Sequence, residues 1–312
     1  MEKKKLILDC DPGHDDAVAL MMAANNPHFD LLGVTTVRGN HTLENTTINA
    51  LNVCQYLGLD ELPVSSGCAI PLVRIPPKTE ERVHGESGLD GPVFEKLTKR
   101  VTGARAVDFI VDQVKKFPNR VTLVVTGPMT NIGLALRYAP EIISLIPEIV
   151  FMGGSWQYGN VTPAAEFNIF ADAEAADIVF RSGIPLVMMG LDVTRQALCY
   201  PEIIERMANH KNVAGKLFVD LMHFFSMAQK KVFGWAGGPL HDPTCIAYLM
   251  DPSVIETKEM YGEIDTSSGP SYGRTNCDVF LLEGKPANVK VSVKIDVDKF
   301  WDIVEECIKH YN

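Results

Sequence analysis

The chain has no Cys-x-x-Cys pair, no apolar run long enough to cross a membrane and no stripe of basic residues. Each absence removes a class of protein. Seven cysteines, an odd number without paired spacing, give neither a disulfide framework nor a zinc site, so free buried thiols in a reduced, cytoplasmic protein are expected. Lys3, Lys4 and Lys5 precede an apolar stretch that Asp9 cuts short of a signal-peptide core or a membrane span, and the run at 184–191 is also too short. A formal net charge of −10 with scattered Lys and Arg argues against a nucleic-acid partner and leaves a neutral or small cationic ligand. There is no internal repeat and no low-complexity linker. With 46% hydrophobic and 22% charged residues among 312, the composition is that of a soluble globular protein, read as one domain over 1–312.

Negative charge is what the sequence does concentrate. Asp9, Asp11, Asp15 and Asp16 fall within Asp-Cys-Asp-Pro-Gly-His-Asp-Asp, directly after Leu6-Ile7-Leu8. Carboxylates this close must take up protons unless hydrogen bonds or a cation hold them ionised, and a divalent metal is the simplest answer. The segment reads as strand, Pro-Gly turn and helix. Its acids therefore sit at a strand's carboxyl end, where open α/β sheets place their ligands, with two of them in a first helical turn.

Further β-rich apolar runs at 31–36, 121–125, 149–152 and 185–189 alternate with period-3.6 patterns at 42–57, 104–116, 131–138 and 173–181. The alternation predicts an α/β fold, a doubly wound, mostly parallel central sheet with flanking helices. A strand is expected at 290–296 and a closing helix at 298–310 with Asp298 as its N-cap. Two irregular segments, 71–91 and 233–239, are Pro- and Gly-rich. They are either surface connections or lids, and mobile active-site loops are expected at about 71–91 and 223–240.

Four polar clusters lie where a strand yields to a loop or helix: the opening acids, Val125 to Asn131 around a Gly-Pro break, Asn160 to Asn168 with two amides and Glu166, and His241-Asp242-Pro243. Their donors are oxygens, and cysteine is absent from all but the first. Hard-cation chemistry, calcium or magnesium, fits them better than zinc. Asn and Asp side chains also suit a polyhydroxylated ring, whose hydroxyls both donate and accept. Each residue has a plainer role as well: Asp15 or Asp16 as a helix cap, Asn160 and Asn168 as turn residues, His241 as a structural histidine, Glu166 as a solvated charge. Only a fold that brings the clusters together makes them a site.

As a set, Asp9 to Ala17, Thr126-Gly-Pro, Met152-Gly-Gly154, Glu166-Phe-Asn168 and His241-Asp-Pro243 resemble the inosine/uridine- and pyrimidine-preferring ribonucleoside hydrolases, over nearly the whole chain. The resemblance implies a calcium-dependent enzyme (one Ca2+ per subunit) that cleaves the N-glycosidic bond of a nucleoside substrate to free base and ribose, and a homotetramer. It implies Asp11, Asp16, the Thr126 carbonyl and Asp242 as calcium ligands, with Asp11 also the general base toward a water on the metal. Asp15 and Asn168, with Asn40 nearby, would hold the ribose 2′- and 3′-hydroxyls, and Asn160 and Glu166 the 5′-hydroxyl. His241 would be the proton donor to the leaving base, His84 would belong to a loop closing over the base, and Gln229 to a relay around His241. The tyrosine usual in that relay is here Phe233, which leaves Trp235 or Tyr248 to shape the base pocket.

The chemistry agrees with that assignment. Loss of the base builds an oxocarbenium-like ribosyl cation, which a ring of carboxylates stabilises. Pyrimidine nucleosides are expected to be slightly favoured over inosine, with an inosine/uridine-preferring or broad-specificity hydrolase as the alternative. An aspartyl-phosphate phosphohydrolase would also carry Asp9-x-Asp11 after a strand, but Gly13 stands where that family needs Thr or Val. A non-catalytic nucleoside binder would have no need of a base beside its metal.

Overall fold

The computed structural model describes residues 2–312. Eight strands, β1 (Lys4–Cys10), β2 (Phe29–Thr36), β3 (Val64–Ser66), β4 (Val121–Val125), β5 (Ile149–Met152), β6 (Leu186–Met189), β7 (Ile255–Met260) and β8 (Val289–Ile295), form one sheet. Their order is β3-β2-β1-β4-β5-β6-β8-β7, parallel throughout except where β7 runs antiparallel to β8. The chain winds outward from β1 to β3, returns to β4 and winds the other way, so the order reverses between β1 and β4. Such a switch point opens a crevice at the strands' carboxyl ends.

Twelve helices surround the sheet: α1 (His14–Ala23), α2 (Leu43–Tyr56), α3 (Glu81–His84), α4 (Ala106–Lys116), α5 (Thr130–Tyr138), α6 (Phe167–Ala171), α7 (Ala173–Phe180), α8 (Leu191–Thr194), α9 (Pro201–Ala208), α10 (Val213–Phe233), α11 (Pro243–Met250) and α12 (Val297–Lys309). Side chains alternate across a strand, so β1 feeds two cores. Leu6 and Leu8 pack with α1, α2, α10, α11 and α12; Ile7 packs on the other face with α4, α5 and α7. Burial on both faces explains why these strands read as continuous apolar runs rather than alternating ones.

The expected strands and the helices from 42 to 181 lie where the sequence predicts, with ends shifted by a residue or two. Two expectations need correction. Asp296, not Asp298, caps α12, its carboxylate accepting from the Lys299 N–H, while Asp298 sits in the first turn. The 223–240 loop is helical as far as Phe233: Asn212 caps α10 at one end, and Gly234, at φ +73°, ends it in the left-handed conformation. Leu217, Phe218, Leu221, Met222 and Phe225 give α10 an apolar face that buries it. All seven cysteines are free, five of them buried. Among the described residues no helix is long and apolar enough to cross a membrane.

Candidate active site

Strand β1 ends in the acids, and the Pro12-Gly13 turn hands the chain to α1. Asp16 closes that turn as a capping residue, its carboxylate accepting from the Gly13 N–H at 3.1 Å, from Thr126 Oγ1 at 2.8 Å and from the Asp11 N–H at 3.3 Å. The cap role and the cluster role thus fall on one side chain. Asp11 accepts from the Asn40 N–H at 2.6 Å. Gly39 and Gly127 make room for it, since a Cβ on either would lie 2.0 Å or 2.6 Å from a carboxylate oxygen of Asp11. Asp9 faces aside, toward Thr35 and Asn131, as a supporting residue at the strand end would.

Asp15, Asp16 and Asp242 each bring one oxygen within 4.8 Å of the others, all buried. Asp11 stands outside that trio, and its Oδ1 is buried without a hydrogen-bond partner, as is Asp9 Oδ2. Burial, with Asp16 next, pushes Asp11 well above the carboxylate range and Asp15 up to about 7. Burial and the charges of Asp15, Asp16 and Asp11 push Asp242 well up too. Buried acids that repel one another, supplied only with oxygen donors, fit a hard divalent cation. The tight trio includes Asp15, which the family resemblance places on the ribose.

Above the acids lies a cavity of about 320 Å³. Asp15, Asn40, Thr126, Asn160, Glu166, Asn168 and Asp242 line it, together with His84, Gln229, His241, Phe225, Phe233 and Trp235. Asp11 and Asp16 lie beneath, with no exposed surface. The topology therefore brings all four sequence clusters, together with His84 and Gln229, to one crevice. Tyr248 does not reach it and packs against the larger core instead.

The backbone holds the amides and Glu166 of the wall. Asn168 donates its Nδ2 hydrogens to the carbonyls of Thr126 at 2.7 Å and Met152 at 3.1 Å, which leaves Oδ1 as an acceptor. Glu166 caps α6 and accepts from the N–H groups of Asn168, Ile169 and Gly154 at 2.9, 3.1 and 2.9 Å; burial still raises its carboxyl above the ordinary value. Asn160 Oδ1 accepts from the Phe167 N–H at 2.9 Å. Phe233 is stacked on Trp235, ring centroids 5.0 Å apart. Gln229 Oε1 is buried without a partner.

His241 is set by its surroundings. Burial, with Arg195 second, pushes its imidazolium down to about 3, so the ring is neutral. Its Nδ1 lies 2.7 Å from Thr194 Oγ1. Thr194 is a site residue that sequence reasoning missed, since nothing local marks it. Another is Arg195, whose guanidinium donates to the Gly159 carbonyl at 2.6 Å and so steadies the turn carrying Asn160. Asn131, the last residue of the second cluster, ties Asp9 to the end of β2 and to Cys68 just beyond β3.

Comparison with known proteins decides what this crevice belongs to. The model of the "Inosine-uridine preferring nucleoside hydrolase" family matches residues 6–302. The chain belongs to that family. It is a hydrolase of N-glycosidic bonds. A pyrimidine-specific ribonucleoside hydrolase, RihB, of Escherichia coli (strain K12 / DH10B) is 54% identical over 311 residues, covering 100% of this chain and 99% of that protein. The namesake enzyme of Escherichia fergusonii matches to the same extent. Among solved structures, a purine-preferring ribonucleoside hydrolase from Gardnerella vaginalis superposes with a TM-score of 0.91 at 36% identity, covering 98% of this chain and 99% of that one.

Proposed function

We propose that this enzyme acts on pyrimidine ribonucleosides, uridine and cytidine ahead of inosine, releasing base and ribose with the help of one calcium ion per subunit. The observation that carries this reading is one cavity lined both by carboxylates and amides and by His84, Gln229, His241 and aromatic rings. The first set suits a ribose and the second a planar base. The 54% identity to a pyrimidine-specific enzyme, against 36% to a purine-preferring one, supports the order of preference.

Asp11, Asp16, Asp242 and the Thr126 carbonyl would hold the ion, with Asp15 beside them. When bound, calcium supplies compensating charge for the buried acids and Lewis acidity toward an oxygen ligand. The residues divide the remaining work. Asp11, with its unpartnered Oδ1, takes a proton from the attacking water. Asp15 and Asn168 Oδ1 accept from the ribose 2′- and 3′-hydroxyls, while Asn40 fixes Asp11 through its backbone N–H. Asn160 and Glu166 take the 5′-hydroxyl. As the C–N bond lengthens, positive charge grows on the ribosyl ring and the carboxylates below it stabilise that charge.

The base must leave with a proton. His241 is neutral, and when the Thr194 hydroxyl donates to its Nδ1 the ring's own proton resides on Nε2, available to the base. Gln229, His84, Phe233 and Trp235 face the base. The 71–91 segment and the 234–240 stretch after α10 act as the mobile elements of this rim. Its free cysteines suit a reducing cytoplasm, and we place the enzyme there as a homotetramer, which light scattering reads.

Ribose release from uridine, cytidine and inosine, measured with calcium, tests the reading. Uridine and cytidine are expected to lead in kcat/KM. Inosine ahead of both would replace pyrimidine preference by the purine-accepting alternative.

A further inference from the structure

His14 opens α1 beside Asp15, has no exposed surface, and has no part in the hydrolysis just described. Its ring is nearly parallel to Phe224 and Phe225, centroids 5.2 Å away in both cases, and its plane lies within 24° of that of His84, whose centroid is 5.3 Å away. Its Nε2 is 2.8 Å from the Asp90 carbonyl oxygen, and its Nδ1 is 3.1 Å from Nδ1 of His84. Gly13 permits this approach, since a Cβ there would lie 2.5 Å from His84 Cε1.

The hydrogen positions follow from what each atom is able to do. A carbonyl oxygen only accepts, so Nε2 of His14 carries a hydrogen. Both rings are buried among aromatic side chains with no carboxylate at hydrogen-bond distance, which keeps both neutral. Nδ1 of His14 is therefore a bare acceptor, and Nδ1 of His84 must donate to it. The second nitrogen of His84 is left without a hydrogen, and it meets no protein partner among the described residues, on a side chain that lines the cavity. The backbone N–H of His14 also approaches His84 Nδ1, at the longer distance of 3.4 Å. Turning the His84 proton away to satisfy it would set two bare nitrogens against each other at 3.1 Å, so the ring-to-ring bond prevails.

We propose that His14 is a positioning residue that fixes His84 as its Nδ1–H tautomer, so that Nε2 reaches the cavity as a hydrogen-bond acceptor and selects bases presenting an N–H. Uracil offers N3–H and cytosine its amino group. This rests on the nucleoside reading above and gives the two cavity histidines opposite duties: His84 accepts from the base, His241 donates to it.

Imidazole nitrogen spectra of the calcium-loaded protein, with 15N-labelled histidine and signals assigned by His84→Asn, test the tautomer without any turnover. The expected result is a protonated Nδ1 and a bare Nε2 on His84. His14→Phe keeps the aromatic stack and removes the acceptor. It should move the His84 proton to Nε2 and lower kcat/KM for uridine about ten-fold relative to 4-nitrophenyl riboside, whose leaving group has no N–H. His14→Gln, whose amide oxygen accepts, should restore the tautomer. A protonated Nε2 in the wild-type protein overturns the proposal, as does a tautomer unchanged in His14→Phe or an equal loss on both substrates. The wild-type spectrum stands even if His14→Phe does not fold. Because it needs no substrate, its failure is distinct from a failure of the nucleoside reading.

Discussion

Asp11, Asp16 and Asn168 sit where β1 and β5 meet α1 and α6, and their partners are backbone groups and side chains of the sheet's own strand ends. His84, Phe233 and Trp235 instead come from the 71–91 segment and the exit of α10, and they are held mainly by ring stacking. One side of the cavity is fixed by the core and the other by a few contacts at its edge. A rigid floor suits the part of a nucleoside that never changes, the ribose and the charge it develops. A rim on loops and a helix end suits the part that does vary.

The largest effects should come from the floor. Asp11→Ala should lower kcat by roughly a hundred- to ten-thousand-fold with all three nucleosides alike, because the proposed general base is removed whatever the base on the substrate. A loss confined to pyrimidines would erase the distinction between floor and rim.

Chelation comes next and carries a pH signature. Without a cation, burial holds Asp9 and Asp15 up near about 7, above their unfolded value of 3.8. The folded chain then binds more protons than the unfolded one between those values, so metal-free stability falls as pH rises through that window. Calcium bound as proposed would reverse this by favouring the ionised acids, releasing protons as it binds. The calcium-induced rise in Tm should therefore be larger at pH 8 than at pH 5. An equal shift at both would deny that the acids share one ion.

On the rim, His241→Asn should reduce kcat for uridine by about a hundred-fold, yet far less for 4-nitrophenyl riboside, which leaves without protonation. Parallel losses on both would make His241 a structural residue. Phe233→Tyr should have the smallest effect, a change of a few-fold at most, with any gain restricted to uridine and cytidine. The ring is half exposed and stacked, so a hydroxyl is accommodated without disturbing the floor.

The same division decides what was legible in the sequence. Strand ends and their acids are contiguous in the chain, so β1, the Asp9 to Asp16 cluster and the Glu166 to Asn168 turn can be read from local spacing alone. Their meeting in one crevice follows from winding in both directions about β1 and β4, a topology that βαβ alternation implies. The rim depends on packing between distant segments. Thr194 matters because α8 stops beside His241, and His14 because α10 and the 71–91 segment close over it. Nothing local marks Thr194, and His14, although it lies within the acid motif, takes its role only from those distant segments. The continuation of α10 to Phe233 was hidden by the Gly-rich stretch directly after it, and Asp298 was mistaken for a cap because Asp296 two residues earlier is the same residue type.

The central claim is that a calcium-bound acid floor breaks the glycosidic bond of a ribonucleoside. Its most direct test is free ribose released from uridine by wild-type protein and by Asp11→Ala, each with calcium and with chelator. Ribose from wild-type protein with calcium alone, and from no other combination at a comparable rate, is the predicted result. Undiminished release with chelator, or from Asp11→Ala, would contradict it.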